Sequence, residues 1–169
     1  EVIEAKNIFN TDYKKISILT HPKSYVHAIV KFKNALIKIL IHEPDMKIPI
    51  YNSLYPLTKN KVKSKKLNLS ILNNLDLKKI NYHKFPLLKL LNNLNEKDSL
   101  YETILVVIND FFVLKYLNNE IKYHEMIKLI YKYSNYNEFL KYRKILPKKV
   151  TDIYKLRDYV SLKLSTLSV

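Results

Sequence analysis

Cysteine, glycine and tryptophan are all absent from the 169 residues. Without cysteine, neither a disulfide scaffold nor a thiolate metal site can form. Glycine at its average usage of roughly 7% would supply about a dozen residues. Ala occurs only at Ala5, Ala28 and Ala35, and Arg only at Arg143 and Arg157. Lys, Asn, Ile, Leu and Tyr fill the places of the missing types. The scarce types, Cys apart, have GC-rich codons, and most abundant ones have AT-rich codons. An AT-rich genome is the expectation. The formal net charge of +15 is carried almost wholly by Lys. Codon drift therefore weakens any reading of that charge as a nucleic-acid footprint. No apolar run reaches the ~18 residues a membrane helix needs. The best candidate, Thr103 to Leu114, is interrupted by Asn109-Asp110, and the chain reads as soluble. These residues contain no apolar leader or transit-like stretch, which an upstream segment could hold. The first residue is Glu, so the chain is expected to begin inside an element, as a piece of a longer or processed product. Its length suits one compact domain, or one domain and part of another, with a real core.

What is present reads as strands first and helices afterwards. Val2, Ala5 and Phe9, spaced three and four apart, predict the tail of a helix over 1–9. Asn10-Thr11-Asp12 is turn chemistry. Ile16 to Thr20 reads as a short strand. Ser24 to Lys33 reads as a second, apolar on both faces and so expected inside a sheet rather than at its edge. Asn34-Ala35 could turn the chain into a third strand, Leu36 to Ile41, although such a turn usually draws Gly. Pro49 to Tyr55 reads as a short helix stopped by Pro56. Leu57 to Leu67 is a cationic linker with Lys59, Lys61, Lys63, Lys65 and Lys66, and Leu67 to Ile80 reads as irregular.

Everything after Asn81 is expected to be helical. Phe85, Leu87, Leu88, Leu91 and Leu94 form one stripe. Ser99-Leu100-Tyr101-Glu102 has the form of a capping box. The helix from Leu100 to Leu117 is apolar nearly all round and belongs at the centre of a bundle. Lys122 to Ser134, Asn137 to Leu146 and a helix opening at Thr151 complete the set. In the last, Ile153, Leu156, Val160, Leu164 and Leu167 share one face. The fold class is α+β, a small sheet segment followed by a C-terminal helical bundle.

From spacing alone, few residues invite chemistry. Glu1 and Glu4 share a helical face, which is the usual lot of solvated carboxylates. His27 sits on a strand among apolar neighbours, where histidines are more often hydrogen-bonded than catalytic. Its ordinary pKa would suit either an acid or a base. His21, before Pro22, reads as a turn residue. Tyr131-Lys132-Tyr133 and Tyr142-Arg143-Lys144 interleave charge with aromatic faces, as single-strand readers do. No reader motif forms there, and a solvated helix face is the preferred reading by about four to one.

Several motifs together are more specific. They are Glu1-Val2-Ile3-Glu4-Ala5, His21-Pro22, Ser24, His27, Val30, Pro44-Asp45-Met46 and Pro49-Ile50. In these the chain resembles the catalytic domain of 1-deoxy-D-xylulose 5-phosphate reductoisomerases, the NADPH-dependent enzymes of non-mevalonate isoprenoid synthesis. Further on, Lys84-Phe85-Pro86-Leu87-Leu88-Lys89-Leu90 is similar to the entry into that family's C-terminal helical domain. Asn109-Asp110 stands where the family has Asn-Glu. The likeness is strong to residue 56 and looser after it. His42 departs from the pattern, since the family usually has a small residue there, often Gly.

The resemblance implies a division into the rear of a catalytic domain (1–56), a basic linker (57–80) and a C-terminal helical bundle (81–169). It implies that Glu1 ligates Mg²⁺ or Mn²⁺ and contacts substrate, with Glu4 in support. His27 would line the substrate site, and Pro44 and Met46 would lie near the nicotinamide of NADPH. The substrate would be 1-deoxy-D-xylulose 5-phosphate and the assembly a homodimer, with no membrane and no nucleic-acid partner. The compartment would be the cytoplasm of a bacterium or a plastid-type organelle of a eukaryote. The family's Gly-rich dinucleotide loop and Asp-x-Glu metal pair do not occur in this sequence, so the segment alone is not expected to be active. The alternative is a non-catalytic basic helical module that binds nucleic acid.

Overall fold

A computed structural model describes residues 1–57, 62, 64–66 and 68–167. Lys59, Lys61, Lys63 and Leu67 of the expected basic linker lie outside the described residues. The chain divides into two compact units, Glu1–Ser17 with Asn81–Val169, and Ile18–Ile80. This grouping cuts across the 1–56, 57–80 and 81–169 division, because the first residues fold with the helices that close the chain.

The helical unit is built around α4, Leu100–Leu117. Its all-round apolar sequence is explained by neighbours on several sides, among them α5 (Tyr123–Ser134) and α7 (Val150–Leu167). Ile104, Ile108 and Phe112 recur every fourth residue and are fully buried. Phe112 stacks on Tyr133 at 5.4 Å between ring centroids and meets Phe111 edge-on at 5.2 Å. Leu156, Val160 and Leu164 form the buried stripe of α7, while Ile153 and Leu167 at its ends are exposed. Tyr101, also fully buried, donates its hydroxyl to the main-chain oxygen of Ser134 at 2.6 Å.

Three helical expectations need correction. The stripe at Phe85–Leu94 is a 3₁₀ segment, Pro86–Asn93. At three residues per turn Leu87 and Leu90 align, so Leu90 is buried and Phe85 is exposed. The helix expected from Asn137 to Leu146 stops as α6 at Leu140 and tightens into a 3₁₀ turn, Lys141–Lys144. The capping box at Ser99 does not form, since Ser99 makes no side-chain cap bond. Glu102 has other partners, described below.

Asp152 does what Glu102 does not. Its Oδ2 accepts the amides of Lys148 and Lys149 at 3.1 and 3.0 Å, ahead of the first turn of α7. These bonds hold its carboxyl below the ordinary carboxylate value. As pH falls, the unfolded chain therefore takes up this proton first, and the cap's contribution is present above the ordinary value and lost below it. Asp152→Ala is expected to lower the melting temperature at about pH 7 and to leave it unchanged near pH 2. Thermal melts across that range check it.

The second unit holds two separate two-stranded antiparallel ribbons. β1 (Leu19–Thr20) pairs with β4 (Lys78–Lys79), and β2 (Val26–Lys31) pairs with β3 (Ile37–Ile41). The expectation that the second strand lies inside a sheet is corrected: among the described residues β2 has one partner strand, and Ile29, Val30 and Phe32 are exposed. Its two apolar faces imitate a buried strand, and periodicity carries no information about how many neighbours a strand has. α2 (Lys47–Leu54) follows, its first amide donating to Asp45 Oδ1 at 2.9 Å. The stretch read as irregular holds α3 (Leu69–Asn73), whose start is marked by Asn68 accepting from the Ile71 amide at 3.2 Å.

The β2–β3 turn closes without glycine. Phe32 accepts the Ala35 amide at 3.1 Å and donates to Leu36 at 2.8 Å, across the loop Lys33-Asn34-Ala35. Ala35 takes the left-handed conformation, φ 67°, as the last residue of such a hairpin loop must. A left-handed Ala is disfavoured by about 1–2 kcal/mol, and Gly loses roughly 0.5–1 kcal/mol of chain entropy in exchange. Ala35→Gly is therefore expected to stabilise the hairpin by about 0.5–1 kcal/mol, read as a higher urea midpoint.

Candidate functional site

In the helical unit the feature of most electrostatic consequence is a buried ion cluster. α1 (Val2–Ile8) carries Lys6, which is 5% exposed. Its ammonium lies 3.4 Å from Glu102 Oε1, pairs with Asp98, and reaches Asn7 Oδ1 at 3.4 Å. Tyr13 donates its hydroxyl to the same Glu102 oxygen at 2.6 Å, and Lys6 lies 5.5 Å from the centre of the Tyr13 ring. Burial, then the hydrogen bond to Glu102, pushes the Tyr13 hydroxyl far above its ordinary pKa. Lys6, Tyr13 and Asp98 carried no signal in the sequence, because the partners stand 89 to 96 residues apart.

Beside this cluster, α1, α4 and α7 frame a cleft of about 580 Å³. Its walls include Ile3, Val106, Val107, Phe111, Leu114 and Ile153, with Glu102, Asp110 and Arg157 among the polar groups.

Glu1 stands just ahead of α1 and is exposed, as is Glu4. Among the described residues the Glu1 carboxylate has no ion-pair partner. No group of three or more potential metal ligands occurs among the described residues. A hard divalent cation wants several oxygen donors, so Glu1 fits the part of one ligand and not of a complete site.

The second unit places His27 and the Pro44-Asp45-Met46 segment at one end of the β2–β3 ribbon. His27 occupies a bulge, where the register shifts between Val26 and Ala28. Its ring lies flat on that of His42, with centroids 3.5 Å apart and planes 6° apart. His42 is not among the residues with left-handed backbone, so no glycine-only conformation is needed there. His21 is a turn residue: its Nδ1 accepts the amides of Tyr25 and Val26 at 2.8 and 3.1 Å. Pro44 and Asp45 line a cavity of about 670 Å³ together with Lys23, Tyr25, Glu43, Lys65, Lys66, Asn68 and Ile71. Met46 is 63% exposed at the start of α2. The His27–His42 contact was not legible, because the bulge takes His27 out of the alternation.

Comparison with known proteins supplies what the geometry alone does not. A family model described as the DXP reductoisomerase C-terminal domain matches residues 41–161. The chain is 52% identical over 169 residues to the 1-deoxy-D-xylulose 5-phosphate reductoisomerase of Pelagibacter ubique (strain HTCC1062), all of this chain and 44% of that protein. It is 35% identical over 130 residues to the enzyme of the same name from Sulfurihydrogenibium sp. (strain YO3AOP1), covering 77% of this chain and 35% of that one. The chain thus spans less than half the length of these curated relatives. Among solved structures, the reductoisomerase from Zymomonas mobilis in complex with NADPH superposes with a TM-score of 0.74 at 22% identity, covering 98% of this chain and 43% of that one. A DOX-P reductoisomerase in complex with NADPH, fosmidomycin and magnesium gives 0.79 at 21% identity, with 98% and 41% covered. At these identities the structural likeness is one of fold.

Proposed function

The chain belongs to the 1-deoxy-D-xylulose 5-phosphate reductoisomerase family, and from that premise we propose that it is the C-terminal portion of an enzyme with this activity. The observation that carries the proposal is the 52% identity to one such enzyme over the whole of this chain. In this reading the rear of the catalytic domain runs to about residue 56 and residues 81–169, folded together with 1–17, make the C-terminal helical domain, while the basic stretch 57–80 between them in sequence carries α3 and β4. The reaction is rearrangement of 1-deoxy-D-xylulose 5-phosphate and its reduction by NADPH to 2-C-methyl-D-erythritol 4-phosphate. The active assembly is a homodimer. No helix among the described residues is long and apolar enough to cross a membrane.

Within that reading each residue has a part. Glu1, an exposed carboxylate without an ion-pair partner among the described residues, supplies one oxygen ligand to Mg²⁺ or Mn²⁺. When bound, the cation contributes Lewis-acid stabilisation of negative charge on substrate oxygens, and NADPH contributes the hydride. His27 lines the substrate site. Pro44 and Met46 lie beside the nicotinamide, where an exposed, flexible thioether suits an aromatic ring. The helical bundle buttresses α1 and therefore Glu1.

The test is NADPH consumption by the full-length protein with 1-deoxy-D-xylulose 5-phosphate and Mg²⁺. Turnover that depends on both substrate and metal supports the proposal. A well-folded full-length protein that consumes no NADPH overturns it.

A further inference from the structure

The two histidines at the end of the β2–β3 ribbon fix each other's chemistry. His27 Nε2 lies 3.3 Å from the main-chain oxygen of His42. His42 Nδ1 lies 2.5 Å from the main-chain oxygen of Glu43. A carbonyl oxygen can only accept, so each of these ring nitrogens must carry a hydrogen. Neutral His27 is then the Nε2–H tautomer, with the lone pair on Nδ1. Neutral His42 is the Nδ1–H tautomer.

The same contacts fix the orientation of His27. One face of its ring is covered by His42, 3.5 Å away and within 6° of parallel. One edge is tied to the His42 carbonyl. Turning the imidazole about its Cβ–Cγ bond would break both contacts together. His42 is itself anchored, because its amide donates to the Tyr25 oxygen at 3.2 Å. The clamp is therefore built on main chain bonded to the start of β2. His27 is exposed and sits at a bulge, so among the described residues its contacts with His42 are what hold the side chain.

We infer that His42 is a positioning residue for His27, holding the imidazole flat and in the Nε2–H tautomer so that Nδ1 is the nitrogen presented to substrate. The inference rests on the reading of His27 as a residue that lines the substrate site. In this role His42 works on His27 alone. It acts through the ring face and through its main-chain oxygen, and only the ring is removed by substitution.

That separation gives the test. In the full-length protein, with NADPH, Mg²⁺ and 1-deoxy-D-xylulose 5-phosphate, His42→Ala is expected to lower kcat by about ten- to a hundredfold, the range that misplacement of a reacting group produces. The KM for NADPH should stay unchanged. His42→Phe, which keeps a flat ring over His27, should recover most of the lost rate. Nitrogen-15 shifts of His27 should show one tautomer, protonated at Nε2, in the wild type and in His42→Phe. In His42→Ala, where the ring no longer holds Nε2 against the retained main-chain oxygen, they should move toward a mixture.

Wild-type kcat in His42→Ala, equal damage in His42→Phe and His42→Ala, or mixed tautomers of His27 in the wild type would each overturn the inference. Full activity in His27→Ala would overturn it too, by removing His27 from the site while leaving the enzyme standing. A silent wild-type enzyme would sink the functional proposal instead. The nitrogen-15 spectra still decide the clamp in that case: a single tautomer lost in His42→Ala supports it, and an unchanged spectrum rejects it.

Discussion

Lys6→Met is expected to destabilise the protein by about 3–5 kcal/mol, the loss found when one partner of a buried ion pair is removed. Natural domains have only about 5–15 kcal/mol in hand, so this single change should bring the chain close to unfolding. The magnitude follows from what is left behind. With Lys6 gone, the Glu102 side chain, 9% exposed, keeps among the described residues only the Tyr13 hydroxyl at 2.6 Å as a partner. It must stay charged in a poorly solvated place or take up a proton, and either route disfavours the folded state. Asp98 matters less, since its side chain is 61% exposed and water can replace Lys6 there. Urea unfolding should show a lower midpoint with an unchanged slope. The decisive control is Lys6→Met combined with Glu102→Leu, which removes both charges. Apolar replacement of a whole buried pair is often neutral, so the double variant should recover most of the loss. A double variant as unstable as Lys6→Met would show that packing of the lysine stem, and not the orphaned carboxylate, is responsible.

The same cluster marks where the sequence stops being readable. Ser99 and Glu102 stand at the spacing of a capping box and were expected to form one. That reading weighs only neighbours in sequence. The Glu102 carboxylate instead accepts the Tyr13 hydroxyl at 2.6 Å and faces the buried Lys6 ammonium at 3.4 Å, two partners where the cap would offer one amide. The ammonium comes from Lys6, far along the chain, so no local pattern announces it. By contrast, α4 was legible because its signal is its own: apolar residues round most of the helix call for several packed neighbours, although Val106 and Leu114 are left facing the cleft. The stripe of α7 was legible at Leu156, Val160 and Leu164 for the same reason. Pro86–Asn93 misled at a finer level. Its apolar residues fit both a 3.6-residue and a three-residue turn, and only the second buries Leu90. Strand β2 misled because its two apolar faces describe affinity for neighbours and not their number. As for the candidate site, Glu1, His27, Pro44 and Met46 came from motif resemblance and not from their spacing. An exposed carboxylate at a helix terminus carries no local mark of a metal site. The His27–His42 stack was hidden by the bulge, which displaces a side chain without altering the sequence pattern.

Glu1→Gln tests the most specific of the proposed roles and should have the largest effect on activity. Gln is nearly isosteric with Glu and keeps an oxygen, but it removes the negative charge that a hard cation prefers. The substitution lies at an exposed position ahead of α1, where Glu1 contributes its main-chain oxygen to the Ala5 amide at 2.7 Å and no side-chain cap bond. That main-chain bond survives the change, so stability should move little, within the roughly 0.5 kcal/mol typical of surface sites. Activity should behave differently. If Glu1 is a ligand, turnover of 1-deoxy-D-xylulose 5-phosphate by the full-length protein should fall by about 10³-fold, since a bound cation contributes several kcal/mol to transition-state stabilisation. The Mg²⁺ concentration for half-maximal rate should rise, and part of the rate should return at high Mg²⁺. Binding of NADPH, followed by its fluorescence, should stay as in the wild type. Together these outcomes separate a ligand from a residue that merely helps α1 to fold. A variant with wild-type turnover and metal dependence would dismiss Glu1 as a ligand and leave the enzyme reading intact. A variant that loses rate without any change in metal dependence would assign Glu1 to substrate contact alone.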